Sequence, residues 1–238
     1  MLRIDDIYTS GEYANKNPTW GGKDAPWKAD KVKSMLERLD LRPEALCDIG
    51  CGTGAVLRCM REWYPAADLV GYELSPQAIA LGSDTASGVT LIQGGAMDFP
   101  ETFEVALCLD VMEHVEDYIG FVRSIRQKAS IIIFHIPLDM SVQTVARMRP
   151  LLRSRETVGH LHYFSRETAL ATLKLAGYEV VAEKFTTGSP DFRGSLLRKR
   201  AGAFCRSTAA RISPATAARV LGGFSLLVAA RAKPGPSS

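Results

Sequence analysis

No apolar run in this 238-residue chain approaches the eighteen or so residues that a membrane-spanning helix needs, and the opening Met1-Leu2-Arg3-Ile4-Asp5-Asp6 has no signal-peptide core. These absences point to a cytoplasmic protein. Cys47, Cys51, Cys59, Cys108 and Cys205 are odd in number and lack C-x-x-C spacing. That speaks against a disulfide framework and a zinc centre, and the cysteines read as reduced residues, most of them inside apolar runs. No internal repeat is found, and low complexity is confined to the tail from Lys233 to Ser238, which reads as disordered. Acids are nearly missing from the C-terminal part. From Pro190 onward Asp191 alone faces Arg193, Arg198, Lys199, Arg200, Arg206, Arg211, Arg219, Arg231 and Lys233. Such a stretch suits a solvated helix face, or a peripheral contact with a membrane surface or a phosphate-bearing partner. The sequence leaves the oligomeric state open.

What remains is ordinary for one folded domain, with 46% hydrophobic and 23% charged residues. Apolar runs suited to buried strands occur at 46–49, 69–72, 89–92, 105–109, 131–136, 178–181 and 224–230. Helical stretches lie between them. One begins at Ser75-Pro76 with an N-cap and a first-turn proline; others span 118–126 and 165–176, the last stopped by Gly177. Strands alternating with helices predict an α/β fold with a mostly parallel sheet covered on both faces. The run 224–230 can return beside the preceding strand as an antiparallel partner. A helix over 26–39, with an aromatic stretch before it (Tyr8, Tyr13, Trp20), suits a lid or a sheet cap. The divisions expected within a single domain 1–238 are an N-terminal lid (1–43), a cofactor-binding half (44–137), a substrate-side insertion (138–160), a C-terminal half (161–232) and the tail (233–238).

The most informative segment is Leu46-Cys47-Asp48-Ile49-Gly50-Cys51-Gly52-Thr53-Gly54, followed by Glu73 at the end of the next apolar run. Glycines at alternate positions after a strand let the backbone turn sharply and let a ligand approach the main chain. A helix ending before Pro65 follows. The pattern Gly50-x-Gly52-x-x-Ala55 also satisfies the dinucleotide fingerprint, and Glu73 stands where a ribose-binding acid belongs in either case. A nicotinamide-dependent oxidoreductase is therefore one reading. Asp48 favours a cationic ligand over a pyrophosphate, because its charge would repel the phosphates.

Together these residues resemble a class I S-adenosylmethionine-dependent methyltransferase. The resemblance rests on Asp48 to Gly54, Glu73, Gln93-Gly94-Gly95-Ala96-Met97-Asp98, and Phe103-Glu104-Val105 through Asp110-Val111-Met112-Glu113-His114-Val115, and covers roughly residues 44–185. It implies a Rossmann-like seven-stranded sheet with an antiparallel last strand, and S-adenosyl-L-methionine as cofactor with S-adenosyl-L-homocysteine as product. By position, Asp48 and the Gly50, Cys51, Gly52 and Gly54 backbone would hold the methionine part. Glu73 would take the ribose hydroxyls with Leu74 beside it, Ala96 and Met97 would border the adenine, and Leu109 and Asp110 would lie near the sulfur. Two departures stand out: Gly95 replaces an acid that many relatives use for the adenine amino group, leaving Asp98 or water to substitute, and Glu104 replaces the usual aspartate. Lys28 is a candidate partner for the cofactor carboxylate.

A hydroxyl acceptor calls for a base, and the candidates are Asp110 and the four histidines, His114, His135, His160 and His162. His160, in Gly159-His160-Leu161-His162-Tyr163-Phe164-Ser165, is the first choice. Asp110-Val111-Met112-Glu113-His114 is similar to the fourth motif of ubiquinone-type O-methyltransferases, where an acid, a glutamate and a histidine can gather a divalent metal. Glu-His follows the fourth strand in many metal-free relatives too, so a metal is not favoured. The stretch 140–158 carries Arg147, Arg149, Arg153 and Arg155, suited to a phosphorylated or lipid-linked acceptor of sugar, glycan-precursor or secondary-metabolite type. Nucleic acid is not expected as substrate. Base-amino methyltransferases resemble one another in an acid or asparagine followed by two prolines after the fourth strand, whereas Leu109-Asp110-Val111-Met112 stands here. A methyltransferase-like binding protein without catalysis is the remaining alternative.

Overall fold

Each apolar run read as a strand is one in the computed structural model, which describes residues 17, 20, 22–83, 88–95, 98, 102–187, 206 and 208–233. Tyr8, Tyr13, Ala96, Met97 and nearly all of the tail expected to be disordered lie outside the described residues. The strands are β1 (Ala45–Ile49), β2 (Asp68–Glu73), β3 (Thr90–Gln93), β4 (Phe103–Leu109), β5 (Ala129–Pro137), β6 (Tyr178–Thr187) and β7 (Phe224–Ala232). They form one sheet in the order β3-β2-β1-β4-β5-β7-β6. Pairing is parallel from β3 through β5, and β7 runs antiparallel to both its neighbours. The last strand thus inserts between β5 and β6 rather than adding at an edge.

The helices are α1 (Ala25–Arg38), α2 (Ala55–Trp63), α3 (Pro76–Ser83), α4 (Tyr118–Ser124), α5 (Val142–Arg147), α6 (Arg149–Thr157), α7 (Arg166–Leu175) and α8 (Pro214–Leu221), with a 3-10 turn at Met112–His114. Strand alternation splits the core into two layers. On one face Leu46, Leu69, Leu107 and Ile133 pack with Val32 and Leu36 of α1 and Leu57 and Met60 of α2. On the other, Cys47, Val70, Cys108 and Phe134 pack with Val122 of α4, Leu173 of α7 and Ala217 of α8. α7 begins with Ser165 and Thr168 in a reciprocal capping box and is followed by Gly177 at φ +88°.

Two parts exceed the sequence reading. β6 runs to Thr187 rather than 181, because this edge strand places half-buried Glu183 and exposed Lys184 between buried Ala182 and Thr186 and shows no continuous apolar run; its register shifts between Val180 and Ala182. The insertion 138–160 is itself helical, carrying α5 and α6 with Met148 between them at φ +53°. Among the described residues, no helix is long and apolar enough to cross a membrane.

The order reverses between β1 and β4. After β1 the chain winds outward to β3, and it returns to pair β4 on the other side of β1. The loops leaving β1 and β4 therefore diverge and open a crevice at the carboxyl ends of the strands, the usual place for a ligand in such sheets. Phe134 lies wholly buried in the sheet with its ring edge-on to Tyr178 at 5.5 Å, and the Tyr178 hydroxyl donates to the Val122 carbonyl at 2.9 Å. Phe134→Ala is expected to lower the unfolding free energy by about 3–5 kcal/mol in urea titrations; a loss under about 1 kcal/mol would show that the neighbours close the cavity.

Candidate functional site

The loop leaving β1 needs its glycines for two reasons. Gly50 and Gly54 sit at φ +73° and +74°, where a side chain is strained, and a Cβ there would stand 2.7 Å from Val111 Cγ2 and 2.8 Å from Leu91 Cδ2. A Cβ on Gly52 would stand 3.4 Å from the Trp20 carbonyl oxygen, so the stretch before α1 closes over the loop. Glu73, at the end of the neighbouring β2, braces it. Its Oε2 accepts from the Gly52 N–H and its Oε1 from the Ser75 N–H, each at 2.9 Å. A carboxylate oxygen can accept more than one hydrogen bond, so both retain capacity for a pair of hydroxyls. Leu74 beside it is 44% exposed, large for an apolar residue, at the position expected to meet the nucleoside.

Asp48 lies beneath this loop, buried, with Oδ1 lacking a hydrogen-bond partner. Burial pushes its carboxyl up to about 7; the nearby Lys28 ammonium works the other way, and Glu73 adds to the rise. A buried orphan carboxylate oxygen is costly unless a ligand meets it.

Across the crevice, Asp110 leaves β4 at φ +56° and is the hub of an ion-pair chain. Its Oδ2 lies 2.8 Å from Lys28 Nζ and its Oδ1 2.6 Å from His135 Nδ1. Lys28 also meets Asp24 at 3.3 Å, and His135 Nε2 lies 2.9 Å from the Thr186 hydroxyl. Burial alone would raise the Asp110 carboxyl, but His135 and Lys28 overcome it and hold it well below the carboxylate range. Burial would likewise lower Lys28, and Asp110 and Asp24 outweigh that and hold its ammonium above the ordinary range. Asp110 is thus a fixed charge, unsuited to taking a proton near neutral pH. Lys28 does stand in the crevice, but in this arrangement carboxylates of the chain hold it. Trp27 presses edge-on against the His135 ring at 5.8 Å, sealing that side.

A third group lies where the 3-10 turn after β4 meets the end of the insertion. Leu161 and His162 donate backbone N–H groups to the Glu113 carbonyl at 2.8 and 3.1 Å, bringing His160 to His114 with ring centroids 5.0 Å apart. His160 Nδ1 lies 2.6 Å from Asp139 Oδ2, so with the proton on Nδ1 the other nitrogen keeps its lone pair. Glu113 is fully buried and neither carboxylate oxygen has a hydrogen-bond partner. Burial, then the Asp110 charge, pushes its carboxyl well above the usual range. Ligand atoms of Glu113, His114 and His160 lie within 4.8 Å of one another, a donor set that fits a divalent ion. Asp110, which the fourth motif offered for such a set, is engaged elsewhere, and His160 stands in its place.

The remaining expectations fall into place unevenly. His162 turns to the Glu116 carbonyl at 3.1 Å and to the Tyr118 ring. Cys51 and Leu109 are buried in the layer beneath the crevice. Asp98 Oδ2 accepts from the Gly95 N–H at 2.6 Å, and Glu104 accepts from the Glu44 N–H at 2.8 Å, a structural task. Asp24, Asp139 and Thr186 were not singled out from the sequence. Asp24 was readable as a charge four residues before Lys28 on one helix face. Asp139 and Thr186 carry no local signal, since their partners are 21 and 51 residues away.

Comparison with known proteins agrees with this geometry. Residues 25–183 match a family model described as a methyltransferase domain. The ubiquinone biosynthesis O-methyltransferase of Pseudomonas fluorescens is 30% identical over 102 residues, which are 40% of this chain and 43% of that protein, so less than half of that relative is spanned. Among solved structures, a chain of the Haloferax volcanii complex between a methyltransferase activator and a methyltransferase is 13% identical with TM-score 0.68, covering 99% of this chain and 100% of that one. Magnesium protoporphyrin IX methyltransferase from Synechocystis, solved with bound S-adenosylhomocysteine, is 13% identical with TM-score 0.63, covering 97% of this chain and 98% of that one. At such identities the likeness of the structures is one of fold.

His114 provides a test of the buried cluster. Burial, and then the charge of His160, lowers its ring to about 4. The depressed value means that its contribution to stability is present above the ordinary histidine value of about 6.5 and is lost as pH falls through about 4. Imidazole NMR signals of His114 are expected to stay at their neutral positions from pH 7 to 5; an inflection near 6.5 would show a solvated ring.

Proposed function

The chain belongs to the methyltransferase domain family, and from that premise we propose that it transfers the methyl group of S-adenosyl-L-methionine to a hydroxyl oxygen of a small molecule of sugar, lipid-linked or secondary-metabolite type. The observation that carries the reading is Asp48, buried beneath the glycine loop with an orphan carboxylate oxygen. That atom suits the ammonium of the cofactor's methionine end and would repel a pyrophosphate, which weighs against a nicotinamide cofactor. The bound S-adenosylhomocysteine of the Synechocystis neighbour supports the same choice.

The residues fit the cofactor along its length. Asp48 takes the ammonium, the backbone of Gly50 to Gly54 lines the methionine part, and Glu73 receives the two ribose hydroxyls. Lys28 exchanges one of its carboxylate partners for the cofactor carboxylate. Asp110, kept ionised, places a negative charge near the sulfonium. When bound, the cofactor supplies a methyl group on a positively charged sulfur, open to in-line displacement. The acceptor needs alignment and loss of a proton. His160 takes that proton at Nε2, because Asp139 holds Nδ1–H and stabilises the imidazolium that forms. Trp20, Trp27 and α1 exclude water from above. Glu113, His114 and His160 would hold a divalent ion if one is used, and its chemistry would be to lower the pKa of the acceptor hydroxyl. Arg147, Arg149, Arg153 and Arg155, on the element that leads to His160, suit a phosphate or carboxylate on the acceptor.

Calorimetry is expected to show binding of S-adenosylhomocysteine and none of nicotinamide dinucleotides. Because the Asp48 carboxyl is raised to about 7, its charge is lost below that pH, so affinity for S-adenosylmethionine should fall as pH drops from 8 to 6. Asp48→Asn should bind roughly tenfold more weakly, with that pH dependence removed; an unchanged profile would refute the assignment.

Turnover is read as S-adenosylhomocysteine formed with a metabolite pool. His160→Ala should reduce it about a hundredfold or more while leaving S-adenosylhomocysteine affinity intact. Full activity of that variant would exclude His160 as base, loss of native activity on chelation would assign the proton step to an ion, and no product from any pool would favour the non-catalytic reading.

A further inference from the structure

Asp110 is held from two sides, and the side away from Lys28 continues through the sheet. His135 on β5 is 4% exposed, and its Nδ1 lies 2.6 Å from Asp110 Oδ1. An ionised carboxylate can only accept, so Nδ1 carries the hydrogen of that bond. The other ring nitrogen, Nε2, lies 2.9 Å from the hydroxyl of Thr186 on β6, which is equally buried. That hydroxyl in turn lies 3.4 Å from the Ser225 carbonyl of β7. One chain of polar contacts therefore runs from Lys28 on α1 through Asp110 at the end of β4 to β5, β6 and β7.

The hydroxyl of Thr186 is not called for by packing. Valine has nearly the same shape and suits a strand as well, so a buried threonine here answers to its partner. A histidine nitrogen sealed from solvent is costly unless it is met. With Nδ1–H directed at Asp110, Nε2 accepts from the Thr186 hydroxyl when the ring is neutral and donates to it when the ring is protonated. In either state the hydroxyl fixes the rotation of the ring, and the ring fixes the carboxylate. Trp27, edge-on to the same ring at 5.8 Å, limits its movement from the side of α1.

We propose that Thr186, acting through His135, is a positioning residue that aims the Asp110 carboxylate into the crevice, where the cofactor carries its positive charge. This assignment rests on the function proposed above, in which Asp110 lies near the sulfonium, and it names what holds that charge in place. Loss of the ring contact leaves the carboxylate to turn toward Lys28, whose ammonium then offsets its charge.

The effect is selective for one form of the cofactor. S-adenosylmethionine has a positively charged sulfur and S-adenosylhomocysteine a neutral one, while the rest of the two molecules is alike. A carboxylate aimed at the sulfur strengthens binding of the first and leaves the second nearly untouched. Thr186 thereby helps to set how far the protein prefers the loaded cofactor over the spent product, from a position on the far side of the imidazole ring from Asp110.

Calorimetry of the full chain at pH 8 with S-adenosylmethionine and, separately, with S-adenosylhomocysteine tests this, the quantity read being the ratio of the two dissociation constants. Asp110→Asn should reduce the preference for the charged cofactor about tenfold. Thr186→Val should reduce it about three- to fivefold while changing S-adenosylhomocysteine affinity less than about twofold, and Thr186→Ser should keep it. His135→Phe should act like Thr186→Val, and combining the two should add little, because each breaks the same chain of contacts. Thr186→Ala replaces Thr186→Val if that variant fails to fold. Equal loss of both affinities in the Thr186 variant, the same loss in Thr186→Ser, or full additivity with His135→Phe would overturn the proposal. A shift in Asp110→Asn with none in Thr186→Val would overturn it and leave the function proposed above standing, whereas an unaltered chain that binds neither ligand would overturn both.

Discussion

The arrangement of the crevice depends on one partly buried ion pair, Lys28 to Asp110 at 2.8 Å. Asp110 sits where β4 ends and the chain turns at positive φ, and Lys28 comes from the helix that precedes the sheet. Partial burial works against the charge of each, so each depends on the other and on their secondary partners, Asp24 and His135. The pair ties α1 to the switch point of the sheet. It also decides what Asp110 can do: held between the Lys28 ammonium and the His135 ring, it acts as a fixed charge rather than as a proton acceptor.

That division of labour organises the rest. Carboxylates that are paired or braced, Asp110 and Glu73, sit on the side expected to hold the nucleoside cofactor. Asp48 and Glu113 are buried, each with a carboxylate oxygen that lacks a hydrogen-bond partner, and burial raises the pKa of both. One lies under the glycine loop and the other beside His114 and His160. Between them run β1 and β4, whose parallel pairing and diverging exits create the space.

The insertion after β5 serves two surfaces. Its inner end delivers Asp139 and His160 to the crevice, and its outer face carries the arginines and exposed aliphatic side chains. A segment so placed is free to vary its outer face without disturbing the sheet, because Leu151 and the Ser141 cap hold it from beneath.

Much of the architecture was legible in the chain because it follows from local rules. Seven apolar runs became seven strands, Ser75-Pro76 and Ser165 started helices, Gly177 followed the end of one, and Gly50 and Gly54 took the positive φ that their spacing suggested. Where local pattern weakens, as on the polar edge of β6, the reading fell short by six residues at the end of that strand. The site was legible only as a set of candidates. Asp48, Glu73 and Asp110 announced themselves by position after strands, but their states depend on neighbours far away in sequence. Lys28 lies 82 residues before Asp110, Asp139 lies 21 before His160, and Thr186 lies 51 after His135. Sequence by itself determined which residue types reach the carboxyl ends of the strands, since period and turn chemistry are short-range. Only the tertiary structure decided which charges are neutralised, which histidine lies against a carboxylate, and which acids remain orphaned, because burial and pairing are properties of the packed chain.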